Sequence, residues 1–172
     1  NSQWLTAVPS NTTAKRLQVT AKGLQVLGRD GKLLSELTIA RLAEDKFYLV
    51  GAASSEWHDL DLLEMSLPTD GSVTIKNVTA KYGSLILVGP KSREVLSKVT
   101  TTSLENSDFP WLSHQLIDTA VGTVLALRVN YVGELGWELH HPIEMQNYIF
   151  DKLMEAGAEF GIKPFGIRAM VS

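Results

Sequence analysis

Tyr131-Val132-Gly133-Glu134-Leu135-Gly136-Trp137-Glu138-Leu139 decides how the chain is read, because two glycines bracket an acid between two β-prone runs. Glycine reaches backbone conformations closed to other residues, so the spacing predicts a tight bend from which Glu134 projects and at which the backbone can approach a ligand closely. Upstream, Gly122 precedes a strand predicted over 123–129, and downstream 135–140 form the returning strand. Pro142 and Glu144 then start the strongest helical pattern, with Met145, Ile149, Leu153 and Ala156 on one face and Gly157 as its stop. Residues 166–172 read as the first turns of another helix.

Toward the N-terminus, residues 100–113 carry Pro110 and two aromatics and are predicted to be a long connection, a kind of segment that is often functional. Gly89-Pro90 ends a strand at 85–88, and Pro90 opens a helix over 91–99 marked by Val95, Leu96 and Val99. Another strand is predicted at 73–78. Before it, Ser54 or Ser55 caps a helix whose first turns hold Glu56 and Asp59, with Trp57, Leu60, Leu63 and Leu67 as its apolar stripe and Pro68 and Gly71 as its end. Residues 47–52 form a compact strand. Arg29-Asp30-Gly31-Lys32 is an Asp-Gly turn that joins a run at 24–27 to a strand at 33–39, and a further short run lies at 17–20. In the strand at 33–39, Leu33, Ser35, Leu37 and Ile39 share one face, so Glu36, with Leu34 and Thr38, lies across the sheet from the more apolar set. Residues 1–16 read as an extended or loosely ordered lead-in. This order of elements predicts an α+β domain with a mainly antiparallel sheet.

Composition narrows the function. With 172 residues, 16 Lys+Arg against 19 Asp+Glu and a net charge of −3, the chain lacks the basic footprint of a nucleic-acid binder. It has no run of 18 apolar residues that would predict a membrane span, and the absence of cysteine excludes disulfides, thiolate metal sites and cysteine nucleophiles. The histidines at 58, 114, 140 and 141 form no HxH or HExxH spacing, and His140 and His141 fall on opposite faces of a strand, so no metal is expected. GxGxxG and GxxxxGK[ST] are missing, which argues against a dinucleotide or triphosphate site within these residues.

Two acids remain as candidates. At Glu134, a carboxylate beside an aromatic suits a flat heterocycle with an amidine-like edge, whose two parallel N–H donors meet both oxygens; the same composition also serves a hairpin turn with a solvated glutamate. Glu36 is either an exposed acid on the outer face of its strand or, in a cleft, a candidate proton acceptor. Trp57, Trp111 and Trp137 read as core or rim aromatics.

The ordered motifs YVGELGWEL, the helix ending in Glu155-Ala156-Gly157 and Phe165-Gly166-Ile167-Arg168-Ala169-Met170 resemble the aminomethyltransferase, or glycine-cleavage T-protein, family of folate-binding domains. Residues 34–39, 41–50, His58-Asp59-Leu60 and 88–96 match it as well, so the resemblance runs from about residue 17 to the end. Ser35-Glu36-Leu37-Thr38, His58-Asp59-Leu60 and Ile75-Lys76-Asn77-Val78-Thr79 are most similar to the C-terminal domain of dimethylglycine and sarcosine dehydrogenases.

The resemblance implies an α+β fold of mainly antiparallel sheets with packed helices, including a ferredoxin-like portion. Residues 1–172 are then expected to be a fragment of one such domain, truncated before a C-terminal β-barrel. It further implies a tetrahydrofolate-binding domain that captures a one-carbon unit from an oxidised N-methyl amine as 5,10-methylenetetrahydrofolate. An FAD domain of the same polypeptide, absent here, supplies the iminium. The alternatives are a non-catalytic folate-binding or regulatory module and a stand-alone glycine-cleavage aminomethyltransferase. Residue by residue, Glu134 takes the place of the glutamate that pairs with the pterin edge, Tyr131 lines the same pocket, and Arg128 holds its shape or meets an anionic part of the folate. Glu36 stands where glycine-cleavage members carry a catalytic aspartate, one methylene shorter, and Ala52 replaces an asparagine that contacts folate. No nucleic acid, membrane or metal partner is expected, and the location implied is the cytoplasm or, in a eukaryote, the mitochondrial matrix.

Overall fold

The computed structural model describes residues 2–7, 21–28, 30–129 and 131–170, and it divides into two compact units, Asn1–Tyr82 and Gly83–Ser172. The strand expected at 17–20 lies outside the described residues.

In the first unit, strands β1 (Ser2–Ala7), β2 (Ala21–Leu27), β3 (Leu33–Ala43), β4 (Lys46–Ala52) and β5 (Ile75–Asn77) form one sheet in the order β2-β3-β4-β1-β5. Each neighbouring pair is antiparallel. Part of the lead-in is therefore a strand inside the sheet, hydrogen-bonded to β4 on one side and β5 on the other. Phe47, Tyr48, Leu49 and Val50 are all buried, which is why β4 reads as a continuous apolar run and not an alternating one: both of its faces are covered. The β2–β3 hairpin turns where Asp-Gly predicted. Gly31 takes φ +77°, its N–H donates to the Gly28 carbonyl at 2.9 Å, and Lys32 N–H donates to Asp30 Oδ1 at 3.2 Å.

Helix α1 (Glu56–Met65), entered through a 3-10 turn at Ala53–Ser55, packs Leu60 and Leu63 on the cluster of Leu37, Phe47 and Leu49. The stripe differs from the expected one at two points. Trp57 is 71% exposed, while Asp59 is 1% exposed and takes a place on the inner side. Ser55 sits at the N-cap position but makes no side-chain cap bond.

The second unit holds β6 (Tyr82–Val88), α2 (Ser92–Leu96), β7 (His114–Thr119), β8 (Gly122–Leu127), β9 (Gly136–Pro142), α3 (Gln146–Gly157) and α4 (Ile167–Met170). Its sheet runs β6-β9-β8-β7, with the β7–β8 and β8–β9 pairs antiparallel. The core gathers Leu87, Val95, Leu96, Phe109, Ile117, Trp137, Leu139, Ile149 and Leu153, with Met145 and Ala156 packed against it, so the face predicted for α3 is the buried one. The stop of α3 lies later than expected. Gly157 is its last helical residue and is small because a Cβ there would meet Ile162 Cβ at 2.6 Å, whereas the chain reverses at Gly161, with φ +71°. Strand β7 had no sequence signal of its own, and α2 is shorter than 91–99. Residues 101–113 are irregular, as expected, yet Phe109 from this segment is fully buried in the core.

Candidate functional site

The two glycines of the decisive stretch do different work. Strand β8 ends at Leu127 and β9 begins at Gly136, so residues 128–135 form a longer connection than a tight hairpin. Within it Gly133 takes φ +78°, which bends the chain at Glu134. Gly136 serves close packing instead: a Cβ there would sit 2.5 Å from the Leu87 carbonyl oxygen and 2.6 Å from Val88 Cγ1.

Between them, the Leu135 carbonyl accepts hydrogen bonds from Gly89 N–H at 2.9 Å and from the buried Ser92 Oγ at 3.0 Å. The bend is thus tied to the Gly89-Pro90 turn that closes β6. Glu134 is exposed, and its carboxylate lies over Gly89, whose own φ of +124° and missing side chain leave Oε2 room: a Cβ there would stand 3.8 Å from it. Tyr131, 73% exposed, stands with the exposed Val132 on the same connection.

Arg128 opens that connection and is only 8% exposed. Its guanidinium donates from Nη1 to the Phe109 carbonyl and lies 5.7 Å from the Trp137 ring centre, as does that of Arg93. Burial, with Arg93 as a second cause, pushes the Arg128 pKa down from its ordinary value. Its backbone is held as well, by Arg128 N–H to Ser113 O at 2.8 Å and Leu112 N–H to Arg128 O at 3.2 Å. Leu112 is the one non-glycine residue with positive φ among those described, at +62°, in the turn that carries the exposed Trp111. Leu135, at the end of the connection, packs on the core cluster that contains Phe109 and Trp137, two side chains stacked edge to face at 6.2 Å, so Arg128 braces the floor on which the connection ends.

Within β9 itself, His140 and His141 are both buried. His141 contacts the Leu139 carbonyl at 3.0 Å through Nδ1 and Gln146 Oε1 at 2.8 Å through Nε2. Desolvation pushes the His140 pKa down, opposed by Glu138, whose Oε2 is 3.4 Å from Nε2, while His141 adds to the lowering. No group of acids and histidines among the described residues could hold a metal ion.

Glu36 belongs to the first unit. It is exposed on β3, and its Oε1 accepts from Gln25 Nε2 at 3.0 Å, across the β2–β3 pair where the two residues are in register. The four expected site residues thus divide between the units, with Arg128, Tyr131 and Glu134 on one connection and Glu36 on a strand. Two contacts escaped the sequence reading. Asp59 accepts from Ser35 Oγ at 2.5 Å, although its only sequence signal was an acid in a first helical turn, and Arg93 shares Trp137 with Arg128. A cavity of about 340 Å³, walled by Val99, Val121, Ile149, Lys152 and Ala156 among others, opens beside the β7–β8 turn, and none of the expected site residues lines it.

Residues 2–172 match the GCVT N-terminal domain family. The chain belongs to that family. It is 38% identical over 141 residues to human mitochondrial dimethylglycine dehydrogenase, covering 81% of this chain and 16% of that protein. It is 29% identical over 150 residues to the mouse mitochondrial pyruvate dehydrogenase phosphatase regulatory subunit, covering 86% of this chain and 17% of that protein. The chain thus spans under a fifth of the length of these relatives. Among solved structures, the glycine cleavage system aminomethyltransferase T of Bartonella henselae superposes with a TM-score of 0.72 at 20% identity over 89% of this chain and 43% of that one, which establishes the shared fold. The α+β class and the family resemblance read from the sequence are both met. No helix among the described residues is long and apolar enough to cross a membrane.

Proposed function

We propose that the chain is the tetrahydrofolate-binding part of an enzyme that moves a one-carbon unit from an oxidised N-methyl amine of the dimethylglycine type onto folate. The observation that carries this reading is the placement of Glu134: an exposed carboxylate cleared of side chains at Gly89, on a bend that Gly133 shapes and that the Leu135 carbonyl ties to the neighbouring turn. Such a carboxylate fits the amino-pyrimidine edge of a pterin, because that edge offers parallel N–H donors and charge-assisted pairing is strong and directional. Tyr131 adds an exposed aromatic on the same connection, and Arg128 supports it from below by keeping Phe109 and Trp137 in place.

Tetrahydrofolate, when bound, supplies nucleophilic nitrogens that take up a one-carbon unit. Glu36 receives the proton that such a nitrogen must give up, and Gln25 orients its carboxylate through the 3.0 Å bond. Holding both reactants removes the entropy of their encounter, which accounts for the capture of a reactive carbon before water reaches it. The iminium and the FAD that generates it belong to the rest of a dimethylglycine dehydrogenase-like polypeptide, and a mitochondrial location goes with that reading, since the human relative is a mitochondrial protein.

The similarity to a phosphatase regulatory subunit favours a second reading, in which the same fold serves a non-catalytic module. Feeding the full-length protein dimethylglycine and tetrahydrofolate separates the two. The enzyme reading expects methylenetetrahydrofolate in place of free formaldehyde; no consumption of the amine, or formaldehyde alone at saturating folate, overturns it.

A further inference from the structure

The face of β3 opposite Glu36 carries a second constellation. Ser35 Oγ donates to Asp59 Oδ1 at 2.5 Å, and the preceding helical residue, His58, contacts the Leu34 carbonyl at 3.0 Å through Nε2. A carbonyl only accepts, so that nitrogen is the protonated one. Two adjacent residues of α1 therefore grip the two residues of β3 that immediately precede Glu36. From the other face, Gln25 holds the Glu36 carboxylate itself.

Packing alone does not explain this grip. Leu60 and Leu63 already seat α1 on the apolar cluster of the sheet. Asp59 is almost wholly buried, and its Oδ2 has no hydrogen-bond partner among the described residues. A buried carboxylate with one oxygen unsatisfied stabilises a fold less than an apolar side chain of similar size. What it does provide is direction, because the Ser35 hydroxyl must face α1 to reach it. Side chains alternate along a strand, so fixing Ser35 inward fixes Glu36 outward, and a slip of one residue would reverse both.

We infer that His58 and Asp59 form a clamp that acts through Leu34 and Ser35 to position Glu36, with Gln25 completing its orientation. This rests on the reading of Glu36 as the proton acceptor. His58, Asp59 and Ser35 are positioning residues, and none of them needs to touch a ligand.

The test uses the full-length protein with Ser35→Ala, Ser35→Thr, His58→Ala, Glu36→Gln and the double variant Ser35→Ala/Glu36→Gln. It measures the fraction of one-carbon units captured on tetrahydrofolate, the calorimetric affinity for tetrahydrofolate, and amide hydrogen exchange across residues 33–39. Misplacing a reacting group by a fraction of an ångström is costly, so Ser35→Ala and His58→Ala are expected to lower capture about tenfold, leave folate affinity within about twofold, and speed exchange on β3. Ser35→Thr restores the hydroxyl and the capture. In the double variant Ser35→Ala adds nothing to Glu36→Gln, because the clamp acts only through that carboxylate. If Glu36→Gln abolishes capture while both clamp variants retain it, or if the Ser35→Ala loss adds to that of Glu36→Gln, the clamp is refuted and Glu36 stands. If Glu36→Gln leaves capture intact, the proton-acceptor reading fails and the clamp falls with it. His58 is exposed, so His58→Ala keeps the test open should Ser35→Ala not fold.

Discussion

Glu36 and Glu134 are both exposed carboxylates, yet the chain holds them in opposite ways. Glu36 sits on a regular strand, where direction follows from the pleat and is reinforced by side chains from β2 and α1. Glu134 sits on an irregular connection, where direction follows from one left-handed glycine and from two hydrogen bonds to the next carbonyl. A strand confers position through register and neighbours distant in sequence. A loop needs local backbone chemistry and a floor to rest on, and that floor is Trp137 with Phe109, Arg93 and Arg128.

The largest effect is expected where that floor is removed. Trp137→Ala deletes a fully buried indole that packs on Phe109 and two guanidinium groups, and should cost about 3–5 kcal/mol by denaturant unfolding. A loss under about 1 kcal/mol would mean that the connection does not rest on this ring.

Acid probes the next layer. The folded-state pKa of His140 is depressed mainly by burial, so the unfolded chain binds a proton that the folded chain resists. Stability is therefore expected to be whole above the unfolded histidine value near 6.5 and to fall as pH drops below it, by up to about 1.4 kcal/mol per pH unit until the folded-state value is reached. His140→Gln should flatten that slope below about pH 6.5, and an unchanged slope would assign the acid sensitivity to other groups.

The smallest effect on stability is expected at the bend itself. Gly133→Ala meets no neighbouring atom, so only the φ of +78° resists it, at about 1 kcal/mol. Its consequence for ligand binding should exceed that for stability, since the strain is relieved by turning Glu134 away. Equal folate affinity in Gly133→Ala and the natural chain would show that the bend does not aim the carboxylate.

Much of this was readable from the residues. The Asp30-Gly31 hairpin, the continuous run of β4, the buried face of α3 and the bend at Gly133 follow from local chemistry, and each lies where the pattern placed it. Strand β7 was not visible, because Ile117 is buried but Leu116 beside it is 69% exposed, so an edge strand shows no clean alternation. Trp57 looked like a core residue by spacing and points outward, while Asp59 looked like a dipole partner and turns inward to Ser35, 24 residues earlier. Pairings of that kind are tertiary, and no local window contains them. The family motif makes Glu134 a candidate, but only the fold separates Gly133, which bends the chain, from Gly136, which lets β9 approach β6.

The most direct measurement is calorimetric titration of the full-length protein with tetrahydrofolate, comparing the natural residue with Glu134→Gln. The substitution keeps size and removes the charge on which the proposed pairing with two pterin N–H donors depends. Charge-assisted bonds contribute about 1.5–3 kcal/mol each and Gln keeps one acceptor oxygen, so loss of one bond should lower affinity by a factor of roughly ten to 150. Equal affinity in the two proteins would contradict the assignment of Glu134 to the pterin edge, and with it the placement of folate on this connection.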